Sequence, residues 1–385
     1  MLEQGLDRMW FLIGAVIIGV LLIVAFNDSA PGIFGQMASI FAEEQTPRNE
    51  KGGKEKTDGV APVATTDAAL FVFDKATGTI TGYKGGLGAT KEMLDVVIPS
   101  KIDGVAVTTI GSRAFEAKGL TSVVFPSSVT KIDTYAFTQN ALTSVSIPGT
   151  VKRIEYGAFS KAGLRQLTLG NGITDIGSVA FSNNQLTDVT IPGSVDVIGQ
   201  QSFLSNQLHT IVLNEGTTQI RPGAFEKNRL TDVTIPKTVT KIHGNAFNSN
   251  QLRTVYISEG VDTIMVSAFA NNQLIDVALP TTLRVLEANA FQNNALQQIV
   301  IPEGLAVIQS GAFADNKLVD ITFPTSLTTI QSEAFKNNAL EQLTLPDNVR
   351  TLGTNAFSGN PLKEVSIPTG LNTSGGGLSG VITPR

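Results

Sequence analysis

A phenylalanine recurs every 22 residues from Phe115 to Phe357, through Phe137, Phe159, Phe181, Phe203, Phe225, Phe247, Phe269, Phe291, Phe313 and Phe335, without one insertion or deletion. A chain of 385 residues would ordinarily divide into two or three domains, but a fixed short period overrides that expectation. Each period is one structural unit, and each unit needs neighbours to cover its apolar faces. The six buried side chains of one coil cannot by themselves offset the entropy of ordering its backbone. Stacking also explains the strict spacing, because one inserted residue would push a Phe out of its column.

Starting at Leu120, the period reads L-x-x-V-x-I-P-x-x-V-x-x-I-x-x-x-A-F-x-x-N-x. Positions four and six are aliphatic or Phe, as in Val189 with Ile191 or Ile321 with Phe323. That alternation marks a short strand with one buried face. Proline at position seven (Pro126, Pro148, Pro192, Pro236) ends the strand, because it has no N–H to donate. A turn follows, then a second inward pair such as Val195 and Ile198, and an Ala-Phe corner. Position 21 is Asn140, Asn184, Asn206, Asn228, Asn250, Asn272, Asn294, Asn316, Asn338 and Asn360, with Ala162 as the exception. An exposed amide ladder for a ligand is one reading of that column. The favoured one is a buried ladder whose amides satisfy backbone groups at the turn.

Flanking segments differ in kind. Residues 10–26, "WFLIGAVIIGVLLIVAF", are uncharged and apolar, at the short end of what spans a bilayer. Arg8 precedes them and no Lys or Arg follows before Arg48, which puts the N-terminus in the cytoplasm and the bulk outside. An uncleaved anchor is favoured over a cleaved signal peptide, whose basic n-region would be meagre here. A pilin-like helix that packs filaments is a third option. Residues 28–66 read as a juxtamembrane stretch and flexible tether, with mixed charge, Gly and Pro from residue 43. Residues 67–119 begin "DAALFVFDKATGTITGYKG", two alternating runs around a turn, which predicts a β-hairpin capping the first coil. The coils occupy residues 120–371, and 372–385 form a Gly-rich tail. That tail either folds back as a thin cap, continues in a longer natural chain, or leaves an association surface.

Composition excludes several chemistries. There is no Cys, so disulfides, thiol nucleophiles and cysteine metal sites are absent together. His209 and His243 are the only imidazoles and sit at different repeat positions, which argues against zinc and triad chemistry. A net charge of −5 gives no reason to expect nucleic acid. Gly375, Gly377 and Gly380 fit G-x-G-x-x-G without the strand before or the helix after, and "GGLGATK" has Thr90 where a phosphate loop needs Gly. No cofactor, metal or catalytic residue is expected.

The "LTSVxIPxxVxxIxxxAFxxN" words, together with "TGYKG" and "VVIPSKIDGVAVTTIG", resemble the BspA-like branch of the leucine-rich repeat family over about residues 71–370. These are bacterial cell-surface proteins. The family often has Cys where this chain has its Asn column. The resemblance implies a non-catalytic role in adhesion or in binding host or matrix proteins, and it transfers no binding residue. The fold expected is a β-rich solenoid of 22-residue BspA-type coils, with an N-terminal β-hairpin cap and an N-terminal transmembrane helix. About a dozen coils at roughly 4.8 Å each make a rod of about 55–60 Å.

In such a coil the outward strand positions are three and five. Position three is acidic in every second coil, at Asp188, Asp232, Asp276, Asp320 and Glu364, 44 residues apart. Arg165, His209 and Arg253 stand at position two of intervening coils, and "LTDVTIP" repeats at Leu186 and Leu230. Acids two strands apart lie roughly 9.5 Å from one another, too far to share one metal ion. They serve either solubility with cross-strand pairing to Arg, or an acidic track for a cationic polymer or basic protein patch. The candidate binding face comprises Arg165, Asp188, Thr190, Asp232, Thr234, Arg253, Tyr256, Asp276, Asp320, Thr322 and Glu364. Its expected partner is a protein or a cell-wall or matrix polymer. The membrane would be engaged through residues 10–26, and self-association through the N-terminal helix or the C-terminal coil end is a further option. The expected location is the bacterial cell membrane, single-pass with the bulk extracellular, or secretion after signal cleavage. A filament subunit or a wall-proximal scaffold are the alternative roles.

Overall fold

Each 22-residue period makes one turn of a stack, with a strand on each of two faces in most coils and the Ala-Phe corner between them. The computed structural model describes residues 65–86, 88 and 90–384, within one compact unit spanning 63–385. The expected membrane segment and nearly all of the tether, residues 1–64, lie outside the described residues. Among the described residues no helix is long and apolar enough to cross a membrane. Coils are numbered here from coil 1 at Leu120 to coil 12 at Leu362.

The corner is the most regular part. Twelve Phe side chains are fully buried in one column, with ring centroids from 4.9 Å (Phe115–Phe137) to 5.8 Å (Phe291–Phe313). Their planes agree within 14°, the offset-stacked arrangement that aromatic quadrupoles favour. Backbone bonds tie each corner to the next, as from Phe225 N to Ala246 O and from Phe247 N to Ala268 O, both 2.9 Å.

The Asn column closes the coils. Asn250 is buried; its Oδ1 accepts from Leu230 N at 3.1 Å, closing its own coil. Its Nδ2 donates to Phe247 O in the same coil and to Phe225 O in the preceding one. Asn184, Asn206, Asn228, Asn294, Asn316, Asn338 and Asn360 repeat this set. The amides are backbone partners, as a buried ladder requires. Coil 2 shows how one can be missing: Leu142 N donates to the Ala162 carbonyl at 2.7 Å, and Gly163 makes the turn with φ +87°.

The back strands are two residues long and pair in parallel as one sheet, from the capping hairpin through Lys131–Ile132 to Val285–Leu286. A second sheet continues with Val307–Ile308, Thr329–Ile330 and Thr351–Leu352. The front strands pair in twos: Ser144–Ile147 with Gln166–Leu169, Asp188–Ile191 with Thr210–Leu213, and Asp232–Ile235 with Thr254–Ile257. After coil 8 the doublets resume as Gln298–Val300 with Asp320–Thr322 and Gln342–Thr344 with Glu364–Ile367. Coil 8 has no front strand, and the long back sheet ends with its Val285–Leu286.

The heptads of coils 4, 6 and 8 explain that interruption. In coils 4 and 6, "LTDVTIP", the hydroxyls of Thr187 and Thr231 donate to Asp188 and Asp232 at 2.9 Å. Coil 8 reads "LIDVALP", with Ile275 in place of the Thr. Asp276 has lost its hydroxyl partner and instead accepts from Val277 N at 2.9 Å, which takes a donor away from the ladder.

Both ends are covered. Phe71–Asp74 and Thr79–Tyr83 form the expected hairpin, and the Tyr83 ring tops the Phe column 5.2 Å from Phe115. The Gly-rich tail folds back onto the last coil. Asn355 N and Phe357 N donate to Gly375 O and Gly376 O, and Val381–Pro384 pairs with Glu364–Ile367. A Cβ on Gly377, which has φ +72°, would lie 2.6 Å from the backbone N of Ser358, so glycine is what allows the tail to lie this close.

Two stability predictions follow from the corner. Asn250→Ala leaves Leu230 N unpartnered, at about 1–3 kcal/mol, while Phe225 O and Phe247 O each lose one of two amide donors and keep Asn228 and Asn272. Urea denaturation should show a loss of about 1–3 kcal/mol. Val179 is β-branched yet has φ +51°, where such residues are strained. Val179→Asn should therefore stabilise by about 1 kcal/mol, read as a raised Tm.

Candidate binding face

Inward positions of the front strand pack into the core in each regular coil, so a contact surface there uses positions two, three and five. All eleven candidates, from Arg165 through Asp188, Thr190, Asp232, Thr234, Arg253, Tyr256, Asp276, Asp320 and Thr322 to Glu364, are exposed. The in-register parallel pairing sets Asp188 beside Thr210 and Asp232 beside Thr254. Tyr256 is 63 % exposed, so the lone aromatic of position five stands free of the core.

Cross-strand pairing of these acids with Arg does not form. Among the described residues no ion pair joins Arg165 or Arg253 to any of them. Asp188 and Asp232 are instead engaged by the hydroxyl next to them in sequence. On this face pairing occurs between two position-two residues, Lys363 and Glu341, at 2.7 Å.

A second acidic column, not singled out from the sequence, lies at position eight in the coils between. Glu215 accepts from Lys237 N and Thr238 N, Glu259 from the backbone and hydroxyl of Thr281, and Glu303 from the same groups of Thr325 and from Ser326 N. Each caps the turn of the following coil. The backbone bond from Thr325, with its fellows, holds the Glu303 carboxyl below the usual range. The signal was available: Glu215-Gly216, Glu259-Gly260 and Glu303-Gly304 also recur every 44 residues.

The interruption between coils 8 and 9 opens a groove of about 560 Å³ in this face. Leu279 and the exposed Val300 line it above Val277 and Ile299, which stay buried in the core, with Asp276 and Glu303 among the polar residues. Val300 in its lining is 63 % exposed, and Ile275 at position two of coil 8 is 50 % exposed. Elsewhere the face is mostly polar, with Val124, Val212 and Tyr256 as isolated exposed apolar side chains.

A family model described as a BspA type leucine rich repeat region matches residues 92–207, 174–297 and 284–378 in six copies. The chain belongs to this family. BspA-type coils are thus the unit of the whole solenoid, as the resemblance implied. Comparison with curated proteins gives no match. Among solved structures, a leucine-rich repeat protein from Bacteroides ovatus is 20 % identical over 86 % of this chain and 100 % of its own, with a TM-score of 0.57. It shares the fold. The pneumococcal vaccine antigen PcpA is 25 % identical over 75 % of this chain and 76 % of its own (TM-score 0.49). A leucine rich cell surface protein from Faecalibacterium prausnitzii is 23 % identical over 84 % and 95 % (TM-score 0.44).

Neither imidazole joins the face's acids in a cluster, and among the described residues no group of His, Asp and Glu is placed to hold a metal ion. His209 is exposed at position two, whereas His243 lies on the back sheet with its Nε2 buried and unpartnered. Burial, then Arg221 and Lys241, holds the His243 imidazole below its ordinary 6.5, against the opposing pull of Glu287. The folded protein takes up this proton less readily than the unfolded chain. Stability present above pH 6.5 is therefore lost as the pH falls through that value toward the depressed one. Urea denaturation on either side of pH 6.5 should show that slope, and His243→Gln should flatten it.

Proposed function

We propose that the solenoid is a non-catalytic binding module that takes a protein or a wall or matrix polymer on its front strand face. In this reading residues 10–26 hold it on the outer side of a bacterial membrane. One observation carries the binding role. Outward positions three and five of the front strand are mostly exposed and vary from coil to coil, while the Leu, Ala-Phe and Asn positions that build each coil are buried. A flat parallel ladder of small polar side chains displays those positions at a fixed spacing of roughly 4.8 Å, suited to a large surface rather than a small molecule. Membership of the BspA-type family supports the same role.

Acids without counter-ions on the face favour a partner with a basic surface. Such rim charges act mainly through steering and salt-sensitive affinity. In a pull-down with the full chain against wall fractions and matrix proteins, captured material should be released by salt. Asp188, Asp232, Asp276 and Asp320 changed together to Asn should weaken capture by about tenfold, equivalent to about 1.4 kcal/mol. Unchanged capture by that variant would discard the acidic track and leave the ligand to the neutral positions.

A further inference from the structure

The interruption at coil 8 gives one place on the face a chemistry the other coils lack. No backbone hydrogen bond joins Ala278 or Leu279 to either neighbouring coil, so their N–H and C=O groups are free for a ligand. The corner stays closed meanwhile: Asn289, Phe291 and Asn293 donate to Ser310, Ala312 and Ala314, and Asn316 Nδ2 reaches Phe291 O. Near the entry to the front strand one bond persists, from Gln297 N to Ile275 O. The groove is therefore held open by a rigid frame rather than by local unfolding.

Its lining is ordered along the strand direction. Asp276 stands at the start, the apolar Val277, Leu279, Ile299 and Val300 follow, and Glu303 stands at the far turn. From position three to position eight is about five residues of extended chain, roughly 16 Å. No Lys or Arg lines the groove. Arg284, beyond the turn, directs its guanidinium onto the carbonyls of Thr281 and Leu283. Neither Asp276 nor Glu303 is in an ion pair among the described residues.

The geometry points to a docking site for an extended peptide segment of a partner protein, with apolar residues lying between two basic ones. The free backbone of Ala278 and Leu279 pairs with the segment as a strand would, and the apolar lining takes its alternate side chains. Asp276 and Glu303 receive the two cations. This inference rests on the front face being the binding surface, and it names the part of that face and the partner chemistry.

The test uses the full chain in a mild detergent and a fluorescein-labelled hexapeptide, Lys-Val-Ala-Val-Ala-Lys, followed by fluorescence anisotropy. The same peptide with Glu at both ends should bind at least about tenfold more weakly, a difference of about 1.4 kcal/mol. Asp276→Asn with Glu303→Gln should weaken the lysine peptide by a similar factor, and Asp188→Asn with Asp232→Asn should not. Ile275→Thr, Ala278→Thr and Leu279→Ile together give coil 8 the heptad of coils 4 and 6. That variant should close the groove and abolish binding while keeping or raising the Tm, so its loss of binding is not a loss of fold. No binding to the wild type, equal binding of the two peptides, or full binding by the closed variant would each overturn the inference. A benzoylphenylalanine in place of the first Val locates the contact. Cross-links to coils 8 and 9 support the groove. Cross-links to front strands of other coils sink the groove and leave the face reading standing, and cross-links only to other surfaces count against both.

Discussion

The amide of one buried asparagine per coil is the interaction on which the rest of the solenoid depends. A turn that buries its corner must find partners for the backbone groups it removes from water, and the Asn side chain supplies an acceptor and two donor directions at once. Because one of those donors reaches the Phe carbonyl of the preceding coil, the same group closes a turn and fixes its distance to the neighbour. The 22-residue period follows: any change in length would move the amide away from the carbonyl it serves. Coil 2 supports the point from the other side. There the Ala162 carbonyl takes over the Leu142 N–H, and only a glycine at the next residue, with φ +87°, allows the chain to turn without the amide.

Corner and sheets do not have the same tolerance. At coil 8 the back sheet ends and front pairing is missing, yet the Phe stack merely widens to 5.8 Å toward coil 9 and the corner bonds continue. The strands are thus secondary to the corner, and they can be lost locally at small cost to the stack. A two-coil rhythm runs through the rest. Front strands pair in doublets, and the turn caps of Glu215 and Glu259 join coil 5 to coil 6 and coil 7 to coil 8, the junctions between doublets. After the interruption this alternation changes phase, since Glu303 caps within the doublet of coils 9 and 10. Coil 8 is the one coil whose front segment belongs to no doublet.

The hairpin cap, the Phe column and the buried Asn ladder were legible in the sequence because each is a property of one period read many times. A recurring apolar or amide position has few physical explanations. The outward face was legible for the same reason, through strand alternation. What could not be read were relations between unlike coils. Doublet pairing depends on which neighbour a strand approaches more closely, and all front strands share one pattern. The expected Arg partners for the acids failed because Thr187 and Thr231, adjacent in sequence, reach Asp188 and Asp232 first. The turn-capping glutamates repeat as strictly as the other acids but lie beyond the strand, where attention to strand periodicity does not look.

That division between an invariant corner and a variable face lets function change without endangering the fold. In coil 8 the change from Thr to Ile at residue 275 redirects Asp276 onto the Val277 N–H and leaves neighbouring backbone unpaired. In a fold stabilised by its sheets, such a change would propagate through the ladder. Here the amide and aromatic columns bypass the interruption, so the opened strands remain at fixed positions and present apolar floor, free backbone and two carboxylates together. A repeat architecture of this kind generates a specific site by departing from its own pattern, and the departure is affordable only where the bonds that set the period run along a different edge of the coil.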